Sequence, residues 1–469
     1  MNREQARTVY SCQECGAEAL RWEGRCPSCG EWNTLEEAHR NPTKGKASWL
    51  SSQPGTSEEL SEITLADFPR LPLDMGEANR VLGGGLVRGS LVLVGGDPGV
   101  GKSTLLLQLG AALATNTGPV LYVSGEESSQ QIKLRAERLG IVGRGLHVLA
   151  ETDMATILHH LNILSPTVAI IDSIQSIAFS DQPTGPGSIG QVRECGLALL
   201  RWAKTNGTPT FVTGHVTKEG NLAGPRTLEH MVDVVLYLEG DNLGSFRLLR
   251  GEKNRFGATH EIGVFEMRDK GLVEVLNPSE VALASRDRNA IGSVVVPVME
   301  GTRPLLVEIQ ALTTPSSLPT PRRVANGVDT SRLLMVVAVL VKRAGIQLSS
   351  QDIIVNVAGG FRAMEPAVDL GMALALASSL RNIPLPDSMA ALGEIGLGGE
   401  LRNISQLPRR LAELKQMGFD SCLGPESAFQ SLEAVPGMKT IEAKTLAEGL
   451  SFALPSNPRR SAVNKDPVE

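Results

Sequence analysis

A glycine-rich segment of the chain has the residue types and the spacing of a phosphate-binding loop. Its residues are Gly96, Asp97, Pro98, Gly99, Val100, Gly101, Lys102, Ser103 and Thr104. In such a loop, backbone N–H groups converge on phosphate oxygens, the Lys102 ammonium carries charge to the β- and γ-phosphates, and the Ser103 hydroxyl is a magnesium ligand. The segment follows an apolar run that begins at Leu91 and precedes a helical pattern, which is the context that this chemistry requires. A chance match in a glycine-rich turn would lack that context, so the sequence predicts a site for ATP and Mg²⁺.

Carboxylates end two further apolar runs of the sequence. Asp172 ends VAIID, and Glu126 and Glu127 follow VLYVSG. An aspartate at a strand end is more often a turn residue or a helix cap. Beside a phosphate loop, however, the Asp172 carboxylate can hold the water shell of Mg²⁺. One of the two adjacent glutamates can instead favour the amino terminus of the following helix by its charge.

Four of the six cysteines form two Cys-x2-Cys pairs near the start of the chain. The pairs are Cys12 with Cys15 and Cys26 with Cys29, and ten residues separate them. Four thiolates on two short turns suit a tetrahedral Zn²⁺, and four sulfur ligands leave no open position, so we expect a structural zinc. The alternatives are an accidental cluster or a redox pair. The other two cysteines, Cys195 and Cys422, stand alone in apolar surroundings and are expected to be inert core thiols.

A short basic cluster, KNRFG, runs from Lys253 to Gly257. Lys253 and Arg255 are separated by one residue, so on a strand both side chains point to the same face and can reach one phosphate. An ordinary surface turn is the alternative interpretation of so short a cluster.

The elements that must position these residues alternate along the chain. Between residues 63 and 278, short, mostly β-branched apolar runs alternate with helical patterns, as in a parallel sheet buried on both faces. The runs are LVLVGG, VLYVSG, VAIIDS, PTFVTGHV and VDVVLYLEG. The predicted fold class is therefore α/β, with the phosphate loop at the end of the first run.

Composition divides the rest of the chain into further segments. Residues 1–38 form the cysteine module, 39–62 a polar linker and 455–469 a polar tail that we expect to be disordered. Residues 279–454 form a second folded unit with strand-like runs such as IGSVVVPVMEG and DIIVNVAGG. Its helical stretches include RLLMVVAVLVKRAG and VDLGMALALASSL.

Composition and charge exclude several classes of protein. The chain has 469 residues, 42% of them hydrophobic and 20% charged, which is typical of globular proteins with more than one domain. A net charge of -6 argues against a wholly basic nucleic-acid coat, although a basic channel remains compatible with it. The sequence contains no eighteen-residue apolar run, so we expect a cytoplasmic protein without a membrane partner.

These motifs, taken in their order along the chain, resemble the RadA family of bacterial recombination proteins. KNRFG is the signature pentapeptide of that family. The resemblance implies a RecA-like P-loop ATPase core in which Glu126 polarises the attacking water, with Glu127 as its rival. It further implies that His215 lies near the γ-phosphate sensor position, for which an ordinary turn histidine is an equal alternative.

The resemblance also carries expectations about assembly and partners. KNRFG resembles the Lys-x-Arg element with which hexameric DnaB-type helicases reach the ATP of a neighbour, which implies that Lys253 and Arg255 act in trans within a homo-oligomer, a hexameric ring. The family further implies single-stranded and branched DNA as partners, branch migration during recombinational repair, and work beside the RecA recombinase.

The C-terminal unit resembles the Lon protease domain in the segments that begin at Glu365 and Leu392. Lon has a nucleophilic serine where this chain has Ala367, and an activating lysine where this chain has Arg409 and Arg410. Arginine stays protonated and cannot act as a base near neutral pH, so the peptidase chemistry does not carry over. We expect a Lon-protease-like α/β domain that serves as an assembly platform.

Contacts to DNA are expected on loops rich in glycine and proline. In RecA-like rings the loops after the Asp172 strand and after the next strand face the channel, and here these are residues 180–191 and 218–226. Lys218 and Arg226 can hold phosphates there, while Arg322 and Arg323 are further candidates, for which a solvated basic turn is the simpler interpretation. Two other functions compete with a DNA motor, namely a Lon-type ATP-dependent protease and a KaiC-like regulatory ATPase.

Overall fold

The structure is a computed structural model of the whole chain, and it divides into two compact units, Met1–Leu276 and Asn277–Glu469. It describes residues 7–12, 18–19, 21–27, 30–40, 59, 61, 70–182, 184–214, 227–240, 246–259, 261–430 and 436–454. The proposed linker therefore lies almost wholly outside the described residues, and the proposed tail 455–469 lies wholly outside them.

The N-terminal segment contains a small antiparallel sheet. Its strands are β1 (Arg7–Cys12), β2 (Glu18–Ala19) and β3 (Leu35–Arg40), in the order β2-β1-β3. The backbone pairing of β3 with β1 extends to the register partners Thr8 and His39 and Arg7 and Arg40. The strand thus includes two residues that the sequence analysis placed in the linker.

The phosphate loop belongs to a large mixed sheet with helices on both faces. Its strands are β4 (Leu91–Gly95), β5 (Val120–Ser124), β6 (Leu146–Ala150), β7 (Val168–Asp172), β8 (Thr210–Thr213), β9 (Val234–Gly240), β10 (Phe246–Asn254), β11 (Ile262–Arg268) and β12 (Gly271–Glu274). The helices are α1 (Gly76–Leu82), α2 (Lys102–Asn116), α3 (Ser129–Arg138), α4 (Met154–Leu164), α5 (Ile189–Asn206) and α6 (Thr227–Met231). The strand order is β12-β11-β10-β9-β4-β8-β7-β5-β6, and the strands from β9 to β6 in that order run parallel.

The central strands bury side chains on both faces, as their apolar runs predict. Along β4, Val92 and Val94 belong to one core with helices α2 and α3, whereas Leu91 and Leu93 belong to the other core with α4 and α5. Successive strand residues point to opposite faces, so a sheet covered on both sides needs an unbroken apolar run.

The C-terminal unit contains a second mixed sheet. Its strands, in the order β15-β16-β14-β13-β17-β20-β21, are β13 (Ser293–Glu300), β14 (Arg303–Pro315), β15 (Arg323–Asn326), β16 (Gln351–Val357), β17 (Met389–Ala391), β20 (Ser421–Pro425) and β21 (Lys439–Ala443). A separate hairpin pairs β18 (Glu394–Ile395) with β19 (Leu401–Arg402). The helices are α7 (Pro278–Leu283), α8 (Thr330–Ala344), α9 (Asp369–Arg381), α10 (Leu407–Gln416), α11 (Glu426–Phe429) and α12 (Leu446–Ala453).

Helix α9 is the central helix of this unit, and residues 369–378 are all buried. A Cβ at Gly371 would lie 2.3 Å from the Val296 Cγ2 of β13, so only glycine allows the helix to approach the sheet this closely. The apolar runs singled out in the sequence form β4, β5, β7, β8, β9, β13 and β16, and the two helical stretches form α8 and α9. Within the described part of the chain, no helix is long and apolar enough to cross a membrane.

Candidate active site

The phosphate loop and the two carboxylate-bearing strand ends share one edge of the large sheet. β4, β8, β7 and β5 are neighbours and run parallel, so their carboxyl ends meet at the same edge. The loop leaves β4 after Gly95, Asp172 ends β7, and Glu126 follows β5. In open α/β sheets this edge is where ligands bind.

The phosphate loop has the backbone conformation that a phosphate cradle needs. Gly96, Gly99 and Gly101 all have positive φ, at 145°, 80° and 115°, where residues with a side chain are strained. A Cβ at Gly96 would lie 2.3 Å from the Leu238 carbonyl oxygen, and one at Gly101 would lie 2.7 Å from Met267 Cε. The loop therefore requires these glycines, and the residues present fit a triphosphate at the amino terminus of α2.

The Lys102 side chain is buried and lies across the loop. Its Nζ donates to the carbonyl oxygens of Gly96 at 2.7 Å and Asp97 at 3.0 Å. Burial lowers the pKa of Lys102, while the negative charges of Asp172, Asp97 and Glu126 act in the opposite direction. The loop lysine and the two proposed catalytic carboxylates are thus close enough to interact electrostatically.

The Asp172 carboxylate is held from both sides. Tyr122 on β5 donates its hydroxyl to Oδ2 at 2.5 Å, and Thr213 on β8 donates its hydroxyl to Oδ1 at 2.6 Å. Burial raises the pKa of Tyr122 well above its ordinary value, and the negative charge of Asp172 adds to the effect, so the phenol remains a donor. A carboxylate fixed in this way is suited to hold the water shell of a magnesium ion.

The neighbouring glutamates have different surroundings. Glu126 Oε1 accepts a hydrogen bond from the Ser173 hydroxyl at 2.6 Å, next to Asp172. Glu127 instead forms an ion pair with Arg135 on α3. The geometry therefore connects Glu126, and not Glu127, to the residue that follows Asp172.

Lys253 and Arg255 converge at the opposite edge of the sheet. Lys253 Nζ donates to the carbonyl oxygens of Glu229 at 2.7 Å and Val232 at 2.7 Å, and Arg255 Nη1 lies 3.4 Å from the Asp233 carboxylate. Burial lowers the pKa of Lys253, and the neighbouring Arg255 charge lowers it further, against the carboxylates of Asp233 and Glu229.

The position of this cluster relative to the phosphate loop follows from strand pairing. The Asp233 backbone N–H donates to the carbonyl oxygen of Leu91, the first residue of β4, whereas the phosphate loop follows Gly95 at the last. A strand of that length spans on the order of 16 Å. The cations therefore cannot reach the phosphate loop of their own chain.

Four side chains at the site were not singled out from the sequence. Tyr122, Thr213 and Ser173 bond the two carboxylates, and Arg247 on β10 donates from Nε to the Val100 carbonyl oxygen of the loop at 3.1 Å. A hydroxyl residue directly after Asp172 was the one visible signal. Tyr122, Thr213 and Arg247 reach the site through the pairing of strands that are distant in sequence. The local spacing of residues does not indicate that pairing.

The predicted zinc ligands are described in part. Cys12 and Cys26 are buried at 1% and 2% exposure in a small cluster with Leu35, and the Cys12 Sγ lies 3.1 Å from Thr34 Oγ1. Cys15 and Cys29 lie outside the described residues. Two buried thiols in so small a core fit a structural zinc, because such a core cannot support a fold alone.

Lys218 and Arg226 lie outside the described part of the chain, as do His215 and the rest of the segment 218–226. In the other loop, the last residues belong to α5, and the buried Gln191 side chain donates to the Phe179 and Thr184 carbonyl oxygens. The Arg323 guanidinium donates to the Leu348 and Gln351 carbonyl oxygens, so it is used within the fold.

The C-terminal unit lacks the groups that peptide hydrolysis needs at the matching positions. Ala367 is buried and carries no hydroxyl. Arg410 is fully buried and forms two hydrogen bonds with Glu365, at 2.6 and 2.7 Å. Ala367 at the position of the nucleophile and Arg410 at that of the base are thus core-forming residues.

Three family models match separate parts of the chain. A rubredoxin metal binding domain model matches residues 10–37, an AAA domain model matches 75–221, and a model of the ChlI subunit of Mg-chelatase matches 328–428. Together with the sheets described above, they confirm the predicted fold class of an N-terminal zinc ribbon, a RecA-like P-loop core and a C-terminal α/β domain.

Curated relatives match over nearly the whole chain. DNA repair protein RadA of Bacillus subtilis (strain 168) is 48% identical over 452 residues, which cover 96% of this chain and 99% of the relative. DNA repair protein RadA of Listeria monocytogenes is 46% identical over 449 residues, covering 96% and 98%. Among solved structures, a KaiC-like protein from Pyrococcus horikoshii OT3 is 21% identical and covers 44% of this chain and 99% of its own, with a TM-score of 0.39.

Proposed function

The chain belongs to the RadA family of DNA repair proteins, and from this premise we propose that it is a DNA-dependent ATPase that encircles single-stranded DNA and drives branch migration of recombination intermediates. Its role in DNA repair, its ATP hydrolase activity and its cofactors ATP, Mg²⁺ and Zn²⁺ follow from the family and the matched domains. What we propose beyond this is a ring-shaped assembly, the binding of a DNA strand in that ring, and the residues that bind and hydrolyse ATP.

Within one subunit, the proposed site consists of the phosphate loop and two carboxylates. Residues 96–104 hold the triphosphate, with Lys102 beside the terminal phosphates and Ser103 on Mg²⁺. Asp172 orients the water shell of the ion, and Glu126 takes the proton of the attacking water. The contact of Glu126 with Ser173, adjacent to Asp172, supports this division of roles.

The observation that carries the proposal of a ring is the separation of Lys253 and Arg255 from their own phosphate loop. Both cations lie at the amino edge of the sheet, and their charge can serve ATP only if another subunit presents its site to them. A cation supplied in trans stabilises charge on the transferring phosphoryl group and couples hydrolysis to movement between subunits. We therefore propose a homo-oligomer with sites completed across each interface, and the resemblance of KNRFG to the element of DnaB-type helicases favours a hexamer.

A mixing experiment tests completion in trans. Lys102→Ala inactivates the phosphate loop of a subunit but keeps its Lys253 and Arg255. Arg255→Ala keeps the phosphate loop but removes one of the two cations. Each variant alone is expected to hydrolyse ATP at a small fraction of the wild-type rate. A mixture should recover activity, because some interfaces then pair an intact loop with an intact Arg255. No recovery, in mixtures shown to co-assemble, would place Arg255 in its own subunit's site and contradict the ring proposal.

The role of DNA needs a separate test. We propose that single-stranded or branched DNA binds in the ring, that the protein acts in the cytoplasm beside the RecA recombinase, and that the loops 180–191 and 218–226 contact the strand. ATP turnover should rise severalfold with single-stranded DNA and fall back as salt is raised, because phosphate contacts release counterions. Turnover that ignores DNA at low salt would instead indicate a nucleotide-driven regulatory switch.

A further inference from the structure

The Asp172 carboxylate lies between two hydroxyl groups that come from the strands on either side of its own. β7 is flanked by β5 and β8, and Tyr122 and Thr213 extend from these strands to Oδ2 and Oδ1 at 2.5 and 2.6 Å. Each carboxylate oxygen thus accepts one hydrogen bond from a different strand. Rotation of the carboxylate about its bond to Cβ would break both contacts.

The two donors are themselves buried within the sheet. Tyr122 is 1% exposed and Thr213 is 0% exposed, and both are held within paired strands. A buried hydroxyl needs a partner, and each finds one in Asp172. Because the donors are neutral, they fix the carboxylate without cancelling the charge that an ion would need.

A second tyrosine in the same sheet provides a comparison. Tyr237 on β9 donates its hydroxyl to Glu229 at 3.0 Å. The pairing is again a phenol with a carboxylate, but Tyr237 is only partly buried, and Glu229 is not the carboxylate proposed to orient the water shell of the magnesium ion. Removing the Tyr237 hydroxyl therefore measures what such a pair contributes to folding. Removing the Tyr122 hydroxyl measures in addition what the pair contributes to nucleotide binding.

We propose that Tyr122 and Thr213 are positioning residues of the hydrolysis site, which hold Asp172 in the one orientation that receives the hydrated magnesium ion of the nucleotide. The inference rests on the proposed role of Asp172. It extends that role to side chains that act through the carboxylate and do not touch the nucleotide.

The test is the magnesium dependence of nucleotide binding by the full-length protein. Binding of a fluorescent, non-hydrolysable ATP analogue is titrated with Mg²⁺ and with chelator, and the ratio of the two dissociation constants measures the coupling. Tyr122→Phe and Thr213→Val should each reduce this ratio about tenfold, in line with loss of a hydrogen bond to a charged group, while affinity in chelator stays near wild type. Thr213→Ser, which keeps the hydroxyl, should restore it, and Tyr237→Phe should leave it unchanged.

The Asp172→Asn variant distinguishes a wrong role for Asp172 from a wrong role for the two hydroxyls. If Asp172→Asn leaves the magnesium coupling intact, the role of Asp172 itself is wrong. If Asp172→Asn abolishes the coupling but Tyr122→Phe and Thr213→Val retain it, the two hydroxyls do not position the carboxylate. Should Tyr122→Phe fail to fold, the Thr213→Val and Thr213→Ser pair decides the question alone, since equal coupling in both would overturn the proposal.

Discussion

Glu126 and Ser173 are joined by a hydrogen bond of 2.6 Å between the serine hydroxyl and the glutamate Oε1. The contact links the end of β5 to the residue directly after Asp172 on β7. Gly125 permits the segment after β5 to approach the segment after β7 closely, because a Cβ at Gly125 would lie 2.2 Å from Ser176 Oγ. The backbone N–H of Gly125 also donates to the Asp172 carbonyl oxygen at 3.0 Å. The two carboxylates of the site are thus held in a fixed relation.

This arrangement predicts different effects for two adjacent substitutions. Glu126→Gln should lower the rate of ATP hydrolysis by about 10²-fold or more while ATP still binds, because general base catalysis typically contributes that much. Glu127→Gln should keep most of the rate and instead lower thermal stability, since Arg135 loses its ionic partner. Single-turnover hydrolysis and equilibrium ATP binding are measured on both variants. The reverse order of rates would assign catalysis to Glu127.

The P-loop and the strands around it could be predicted because their signals are local. The residues from Gly96 to Ser103 match a phosphate-binding loop by their types and spacing alone. The β-branched runs predict strands that are buried on both faces. The buried thiols also followed from their apolar surroundings. Cys195 and Cys422 are both 0% exposed, and burial raises the pKa of the Cys195 thiol to about 12.

Contacts between side chains of different strands could not be predicted, because the local spacing of residues does not determine the order of strands in a sheet. Tyr122 and Thr213 are separated from Asp172 by fifty and forty-one positions and meet it only through strand pairing. The sequence left Glu127 as a rival of Glu126 for the same reason, since the difference in their surroundings depends on Ser173 and Arg135. The location of Lys253 likewise needed the register between β9 and β10.

The zinc site predicts that the N-terminal sheet depends on its metal. Its described core consists of Cys12, Cys26 and Leu35, with Tyr10 and Ala19 partly buried against it. Cys26→Ser should therefore abolish zinc binding and leave residues 7–40 sensitive to protease, because such domains fold only with metal. Metal content per chain and limited proteolysis provide the measurement. Cys195→Ala, which removes a buried thiol elsewhere, should retain the zinc, and equal zinc content in both variants would contradict the assignment.

A pH-dependent contribution to stability is expected from Asp153. Its side chain caps α4 by accepting from the Thr156 backbone N–H at 2.9 Å, and it also accepts from the Ser180 hydroxyl at 2.7 Å. These hydrogen bonds, that of Ser180 foremost, lower the pKa of Asp153 from 3.8 to about 2. The folded state thus favours the carboxylate, so its contribution is complete above pH 3.8 and is lost as the pH falls to about 2.

Two substitutions separate the charge of Asp153 from its role as a cap. Asp153→Ala should cost about 1 kcal/mol at neutral pH, typical of a lost amino-terminal cap. Asp153→Asn retains a capping oxygen but cannot titrate, so its stability should depend less on pH between 4 and 2 than that of the wild type. Urea unfolding at several pH values measures both. Asp181→Asn, an exposed neighbour, is the control, and an unchanged pH dependence in Asp153→Asn would contradict the assignment.

Arg410 and Arg409 provide a matched pair for the C-terminal domain. Arg410 is fully buried, bonds both Glu365 oxygens and donates to the Pro297 carbonyl oxygen at 2.6 Å. Arg409 is exposed and donates to the Thr302 carbonyl oxygen at 3.0 Å. One arginine is therefore part of the core, and its neighbour lies on the surface.

Removing the buried partner should have a large effect, because the Glu365 charge is then left without compensation. Arg410→Ala is expected to lower the free energy of unfolding of this domain by about 3–5 kcal/mol, and Arg409→Ala by less than about 1 kcal/mol. Arg410→Lys should fall between them, since an ammonium cannot bond both carboxylate oxygens in a planar fork. Pulse proteolysis at increasing urea concentrations, with peptides from residues 277–454 followed by mass spectrometry, measures the three variants. Equal stability of Arg410→Ala and Arg409→Ala would contradict the structural role of Arg410.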